Sequence, residues 1–263
     1  MAQAATHDGW TGKFLLAAEE AAKTSKTSKS LVQLLHESRA NEKLRKSPHW
    51  EDGNKVRDGV FVRAPDEMIA LASQWSVAPD QLEKKTAEMI NATVFFAGSA
   101  QRPSKQVKFD FFYMHCVNCS IFFSTFIKEP WLSVEDKCRI LEWKGRLDLA
   151  LYVSRGCPEL LLDEVRNYQP KHSTDGWREI ARRVAKVPDD GHASKLVRAI
   201  ANGHQACKPY EKESDLVFPI KGDDMWLKLG HMAIDSVEGQ ETRWVRNAGF
   251  DEAWETIPER AKL

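Results

Sequence analysis

His115 lies in Phe111-Phe112-Tyr113-Met114-His115-Cys116, the most aromatic run of the chain. An imidazole there must find a hydrogen-bond partner or stay neutral at a desolvation cost. It reads either as a hydrogen-bonded core histidine or as a metal ligand. His192 and Lys195 follow Asp189-Asp190-Gly191 and are three residues apart, so on a helix both side chains face the same way. Helical pairs at that spacing hold metal in carboxylate-bridged iron proteins, and a solvated first turn is the plain alternative. His231 and His36 are weaker candidates of the same kind. Cys116 and Cys119 have the two-residue spacing of zinc sites and redox dithiols. A closed zinc site needs four ligands, usually as two such pairs, and Cys138, Cys157 and Cys207 stand alone, so small buried thiols are the better reading.

Other chemistry leaves no trace in the sequence. No Gly-x-Gly-x-x-Gly follows a strand pattern, and there is no phosphate-binding loop, no His-Glu-x-x-His and no Gly-x-Ser-x-Gly. An embedded flavin or a Rossmann nicotinamide site is therefore disfavoured.

The elements that must position these residues read as helices. Lys13 to Lys23 carries a short apolar stripe, and Thr24–Ser28 breaks it before Ser28 or Ser30 caps a helix with Leu31, Leu34 and Leu35. Ser47 to Asn54 is a loop, and Pro65 and Pro79 each open a helix, the second ending near Gly98. Val107 to Ile127, with no Gly or Pro, predicts a Phe-rich helix buried on most faces. Ser133 opens a helix over Val134–Ser154 bearing the pairs Glu135–Arg139, Glu142–Arg146 and Lys144–Asp148. Cys157-Pro158-Glu159 starts a short helix, and Thr174 or Asp175 caps another through Lys186. The His192 helix stops at Asn202-Gly203, and Lys208 to Asp223 is a long loop. Helix returns at Met225–Ser236 and around Phe250–Thr256. With no alternating strand pattern, the expectation is all-α: a single compact multi-helix domain over 1–263 around the buried Phe-rich helix.

The 263 residues suffice for a real core, and 42% hydrophobic with 29% charged residues is a globular balance. No window approaches 18 uninterrupted apolar residues, and the first ten residues lack a charged-then-apolar leader. With five cysteines, this predicts a cytoplasmic protein in a reducing compartment, without a membrane partner. The 38 basic residues balance 38 acidic ones. Lys23 to Arg63 holds ten basic against five acidic residues, and Glu211 to Leu263 seven against twelve. That basic bias is too weak for a nucleic-acid surface.

Several ordered motifs carry a resemblance. Phe109-Asp110-Phe111-Phe112-Tyr113-Met114-His115, then Leu141-Glu142-Trp143-Lys144-Gly145-Arg146-Leu147-Asp148-Leu149, with Tyr152 to Arg155, resemble the questin oxidase-like family. So do Pro158 to Glu164 and Asp189-Asp190-Gly191-His192-Ala193-Ser194-Lys195-Leu196-Val197-Arg198-Ala199. The resemblance implies a mostly fungal oxidoreductase of secondary metabolism that tailors aromatic polyketides. The reaction it implies is oxygen-dependent ring opening or Baeyer–Villiger-type oxidation of an anthraquinone-like molecule. It implies NADPH as a reductant in some members, and a non-haem iron held by histidines and a carboxylated lysine in at least one. Carried over by motif, His115 and His192 are the metal ligands and Lys195 the lysine for carboxylation. Such a ligand set suits iron, and a buried lysine can supply the neutral amine that takes up carbon dioxide. The resemblance lies mainly with the C-terminal half of longer members, whose further histidines lie in an N-terminal half; Trp10, His36 and His49 match none of those motifs. The chain then reads as a shortened member, an incomplete gene model, or one part of a split enzyme whose other half a separate chain supplies; the alternative to the enzyme is a non-catalytic shortened member acting as a helical binding or structural module.

Overall fold

The computed structural model describes residues 9–24 and 28–260. The leader reading of residues 1–8 and the Ser25–Thr27 part of the first helix break lie outside the described residues. In chain order the helices are α1 (Trp10–Thr24), α2 (Leu31–Ala40), α3 (Pro65–Ala72), α4 (Leu82–Ser99), α5 (Phe111–Ser120), α6 (Val134–Ser154), α7 (Trp177–Val184), α8 (His192–Cys207) and α9 (Gly222–Asp235), with shorter turns between them. Strands are limited to β1 (Phe109–Asp110) and β2 (Trp244–Val245). The fold is all-α. The described parts of residues 1–86 and 125–157 form one compact unit, and those of 87–124 and 158–263 form another.

In the first unit, local sequence sets the helix starts. Ser30 and Gln33 make a reciprocal capping box at α2, and the Ser133 hydroxyl accepts from the Asp136 amide at 3.0 Å to open α6. Of the three ion pairs expected along α6, Lys144–Asp148 and Glu142–Arg146 form, both around buried cations. Arg139 instead takes both oxygens of Glu19, at 2.6 and 2.9 Å. Two parallel bonds to one carboxylate outcompete a single contact along an exposed helix face. Gly145 is there for packing: a Cβ on it would lie 2.3 Å from Cζ3 of the fully buried Trp75.

The second unit holds the chemistry-bearing residues. Here α8 packs against α5, α7 and α9. It does not stop at Asn202-Gly203 but continues to Cys207. Gly203 serves close approach, because a Cβ on it would meet Ile90 and Trp226 atoms at 3.0 Å. The Phe-rich run is also shorter as a helix than its composition predicts. Phe109 and Asp110 pair in parallel with Trp244 and Val245 before the helix begins, and the run breaks again after Ser120. Two-residue strands carry no detectable period, which is why the pairing is invisible in the sequence.

Other boundaries move for local reasons. Gly156 (φ 85°) and Cys157 (φ 45°) turn the chain out of α6, so the next short helix starts at Leu162. Gly176, not Thr174 or Asp175, caps α7, with its amide donating to Glu179 Oε2 at 3.2 Å. The 208–223 segment contains a 3₁₀ turn over Lys208–Tyr210, and the 250–256 region keeps only one over Glu252–Trp254.

Candidate functional site

Asp110 begins the site. Its Oδ1 accepts from the Phe112 and Tyr113 amides at 2.8 and 3.2 Å, capping α5. Its Oδ2 accepts from the Ala248 amide at 2.8 Å. One carboxylate thus ties the start of α5 to the chain just beyond β2. As a result Phe111 lies near Trp244 (ring centroids 6.5 Å apart) and under the Arg246 guanidinium, 4.5 Å from its ring centre.

The Asp-Asp-Gly-His motif builds the facing edge. Asp189 accepts from the Gly191 amide at 2.8 Å and from the Ala193 amide at 2.9 Å, closing the turn into α8. Gly191 takes φ 87°, a left-handed conformation that a side chain would strain. Asp190 is then free to hold His192 through Nδ1, and that hydrogen bond keeps the Asp190 carboxyl below its ordinary value.

These two constructions bring the predicted histidines together. The rings of His115 and His192 lie 5.1 Å apart, and Phe111 sits 4.6 Å from the first and 5.1 Å from the second. Nδ1 of His115 contacts the Phe111 carbonyl oxygen at 2.7 Å. On both rings Nδ1 is engaged by an oxygen, which favours the tautomer that leaves Nε2 with its lone pair. An imidazole whose outer nitrogen is held by a carbonyl or carboxylate is the usual form of a metal-ligating histidine. Two imidazoles with ring centroids 5.1 Å apart are nitrogen donors of the kind iron accepts, and they are fewer than a full ligand set. Among the described residues, no group of three or more His, Cys, Asp or Glu side chains converges as a full metal set.

The remaining candidates fall elsewhere. Lys195 is exposed, with Nζ 3.4 Å from the Asp190 carbonyl oxygen and its stem against Gly191. It stands beside the histidine pair, but the burial that would make its amine neutral is absent. His115 is exposed rather than a core residue. His231 is a core histidine: Nε2 meets the Asp175 carbonyl at 3.0 Å, and burial lowers its pKa. His36 is exposed. Cys116 is buried, Cys119 half-buried, and both are free thiols.

Asp110, Asp190, Phe111, Trp244 and Arg246 are not singled out by residue spacing. The Asp-Asp-Gly triplet is the one local signal, since Asp before Gly favours a side-chain-closed turn.

A questin oxidase-like family model matches residues 1–200. A Baeyer-Villiger oxidase of Pestalotiopsis fici is 46% identical over 98% of this chain and 60% of its own length. A Baeyer-Villiger monooxygenase of Cryptosporiopsis sp. is 43% identical, over 97% and 59% respectively. A questin oxidase of Aspergillus fumigatus is 39% identical, over 98% and 60%. The chain thus spans about 60% of the length of these relatives. The matches take in nearly all of this chain and give no support to a separate chain carrying an N-terminal half. No helix among the described residues is long and apolar enough to cross a membrane. The chain belongs to the questin oxidase-like family.

Proposed function

We propose that this protein is an oxidoreductase that uses dioxygen to oxidise a planar aromatic ketone or quinone of the anthraquinone kind, in fungal secondary metabolism. The observation that supports this most is the pair of imidazoles, His115 and His192, each held at Nδ1 and open at Nε2 beside the Phe111 ring. His115 and His192 would hold an iron ion. Bound iron would supply the activation of dioxygen.

The chain's own residues have distinct work in this reading. The half-buried Trp244 and the edge of Phe111 give a planar ring an apolar surface to lie against. Exposed Arg246 would hold a phenolate or quinone oxygen through charge-assisted hydrogen bonds. Asp190 fixes the proton on His192 Nδ1, and the Phe111 carbonyl does the same for His115. Insertion of one oxygen atom beside a carbonyl requires two electrons to reduce the other atom to water, and NADPH is the reductant of this reading.

The test is oxygen consumption by the purified 263-residue chain loaded with ferrous iron and given an anthraquinone, with and without NADPH. Uptake that needs the quinone and disappears in Arg246→Ala and His192→Ala supports the reading. No uptake with iron bound would sink it and leave a non-catalytic binding module.

A further inference from the structure

The chain reverses sharply just after β2, and the reversal sets where Arg246 stands. Val245 pairs with Asp110 in the parallel ladder, and three further residues of extended strand would span about 10 Å. Instead the Ala248 amide returns to the same Asp110, donating to Oδ2 at 2.8 Å. The Ala248 carbonyl accepts from the Trp254 indole at 2.9 Å, which fixes that side of the turn. Only Arg246 and Asn247 lie between these two points held on one aspartate.

Asn247 makes the reversal. Its φ is 71°, and among the described residues only Cys157 is another non-glycine residue with a positive φ. The Asn247 carbonyl accepts from the Phe250 amide at 3.0 Å, closing the turn. Asparagine enters the left-handed region readily, whereas a β-branched side chain there is strained. Arg246 is left exposed at the point of reversal, its guanidinium carbon 4.5 Å from the centre of the Phe111 ring. Phe111 in turn lies 4.6 Å from the His115 ring and 5.1 Å from that of His192.

We propose that Asn247 is the positioning residue for Arg246: its left-handed backbone holds the guanidinium over Phe111, beside the histidine pair. This role rests on Arg246 being the cation that receives a phenolate or quinone oxygen of the substrate. An extended residue 247 would draw the Ala248 amide from Asp110 and swing Arg246 away from the ring. The backbone conformation does this work, so glycine can stand in for Asn247 and valine cannot. An arginine already held in place loses less freedom on binding, so the turn raises affinity without touching the ligand.

Two measurements on the purified chain test the turn and its use separately. In arginine-labelled protein, NMR follows the Arg246 δ-methylene, whose resonance the Phe111 ring current displaces; Phe111→Leu identifies it. The displacement should persist in Asn247→Gly and be lost in Asn247→Val, with Asn247→Ala serving if the valine variant fails to fold. Equilibrium dialysis with alizarin, a dihydroxyanthraquinone, then measures affinity. Arg246→Ala removes a charge-assisted contact and should weaken binding about tenfold or more. Asn247→Val should weaken it several-fold, Asn247→Gly hardly at all, and Asn247→Val should add nothing in the Arg246→Ala background. A displacement kept in Asn247→Val, one lost in Asn247→Gly, or equal weakening by Asn247→Val with and without Arg246 would overturn the proposal. No alizarin binding by wild type, or Arg246→Ala binding as tightly, would instead overturn the functional reading, and the resonance alone would then decide the turn.

Discussion

Nδ1 of His115 lies 2.7 Å from the carbonyl oxygen of Phe111, one turn earlier on the same helix. The contact turns the imidazole back along α5, so that its ring meets both Phe111 and His192. A mid-helix histidine normally competes with backbone or points to water. Here the helix itself holds the ring, and the neighbouring α8 brings up the second imidazole. The same relationship links a local fact, four-residue spacing, to the pairing on which the functional reading depends.

Asp190 does for His192 what the Phe111 carbonyl does for His115. Replacing an outer partner of a ligating histidine typically costs 10- to 100-fold in metal affinity. Asp190→Ala should therefore weaken iron binding by about that factor, measured by competition with a chelator. Thermal stability should hardly move, because the Asp190 side chain is 74% exposed. The His192 contact depresses the Asp190 pKa, so the pair persists at neutral pH and is lost as pH falls through that lowered value.

Asp110 is the joint between α5 and the segment after β2. Removing it costs a helix cap and leaves the buried Ala248 amide unpaired. Asp110→Ala should lower the unfolding free energy by about 2 kcal/mol, read from urea denaturation. It should also change the Trp244 environment, detectable in tryptophan fluorescence. A variant with wild-type stability would contradict the role assigned to this carboxylate.

The elements legible in the sequence are those with chemical punctuation. Ser133 capping α6 and Ser30 capping α2 act through a hydroxyl and a nearby amide, so residue type alone locates them. The buried Glu142–Arg146 and Lys144–Asp148 pairs follow from helical spacing. Gly203 misleads because the same residue that ends helices also permits close packing, and only Trp226 and Ile90 decide which applies. The motifs single out His115, His192 and Lys195 as candidates; the structure sets the two imidazole rings 5.1 Å apart and leaves Lys195 exposed. Trp244 and Arg246 are not singled out, because their approach to Phe111 depends on a two-residue strand pair far apart in sequence.

The first unit offers an acid test of its own. Arg63 takes both oxygens of Asp52 at 2.7 Å, with the His49 amide donating at 2.7 Å, and the Asp52 pKa falls from 3.8 to about 2. Because the folded-state pKa is the lower one, the pair's stabilisation is fully present above the ordinary carboxylate value. It fades as pH drops from about 4 to about 2 and amounts to about 2 kcal/mol. Asp52→Asn should show less loss of stability than wild type over that pH window in denaturation curves.

The proposal that His115 and His192 hold one iron ion is tested most directly by iron stoichiometry. Purified chain reconstituted with ferrous iron and freed of excess should retain close to one equivalent by elemental analysis. His115→Ala and His192→Ala should each lose it while keeping the helical circular-dichroism spectrum. Iron bound equally well by both variants, or none bound by the folded wild-type chain, would contradict the account.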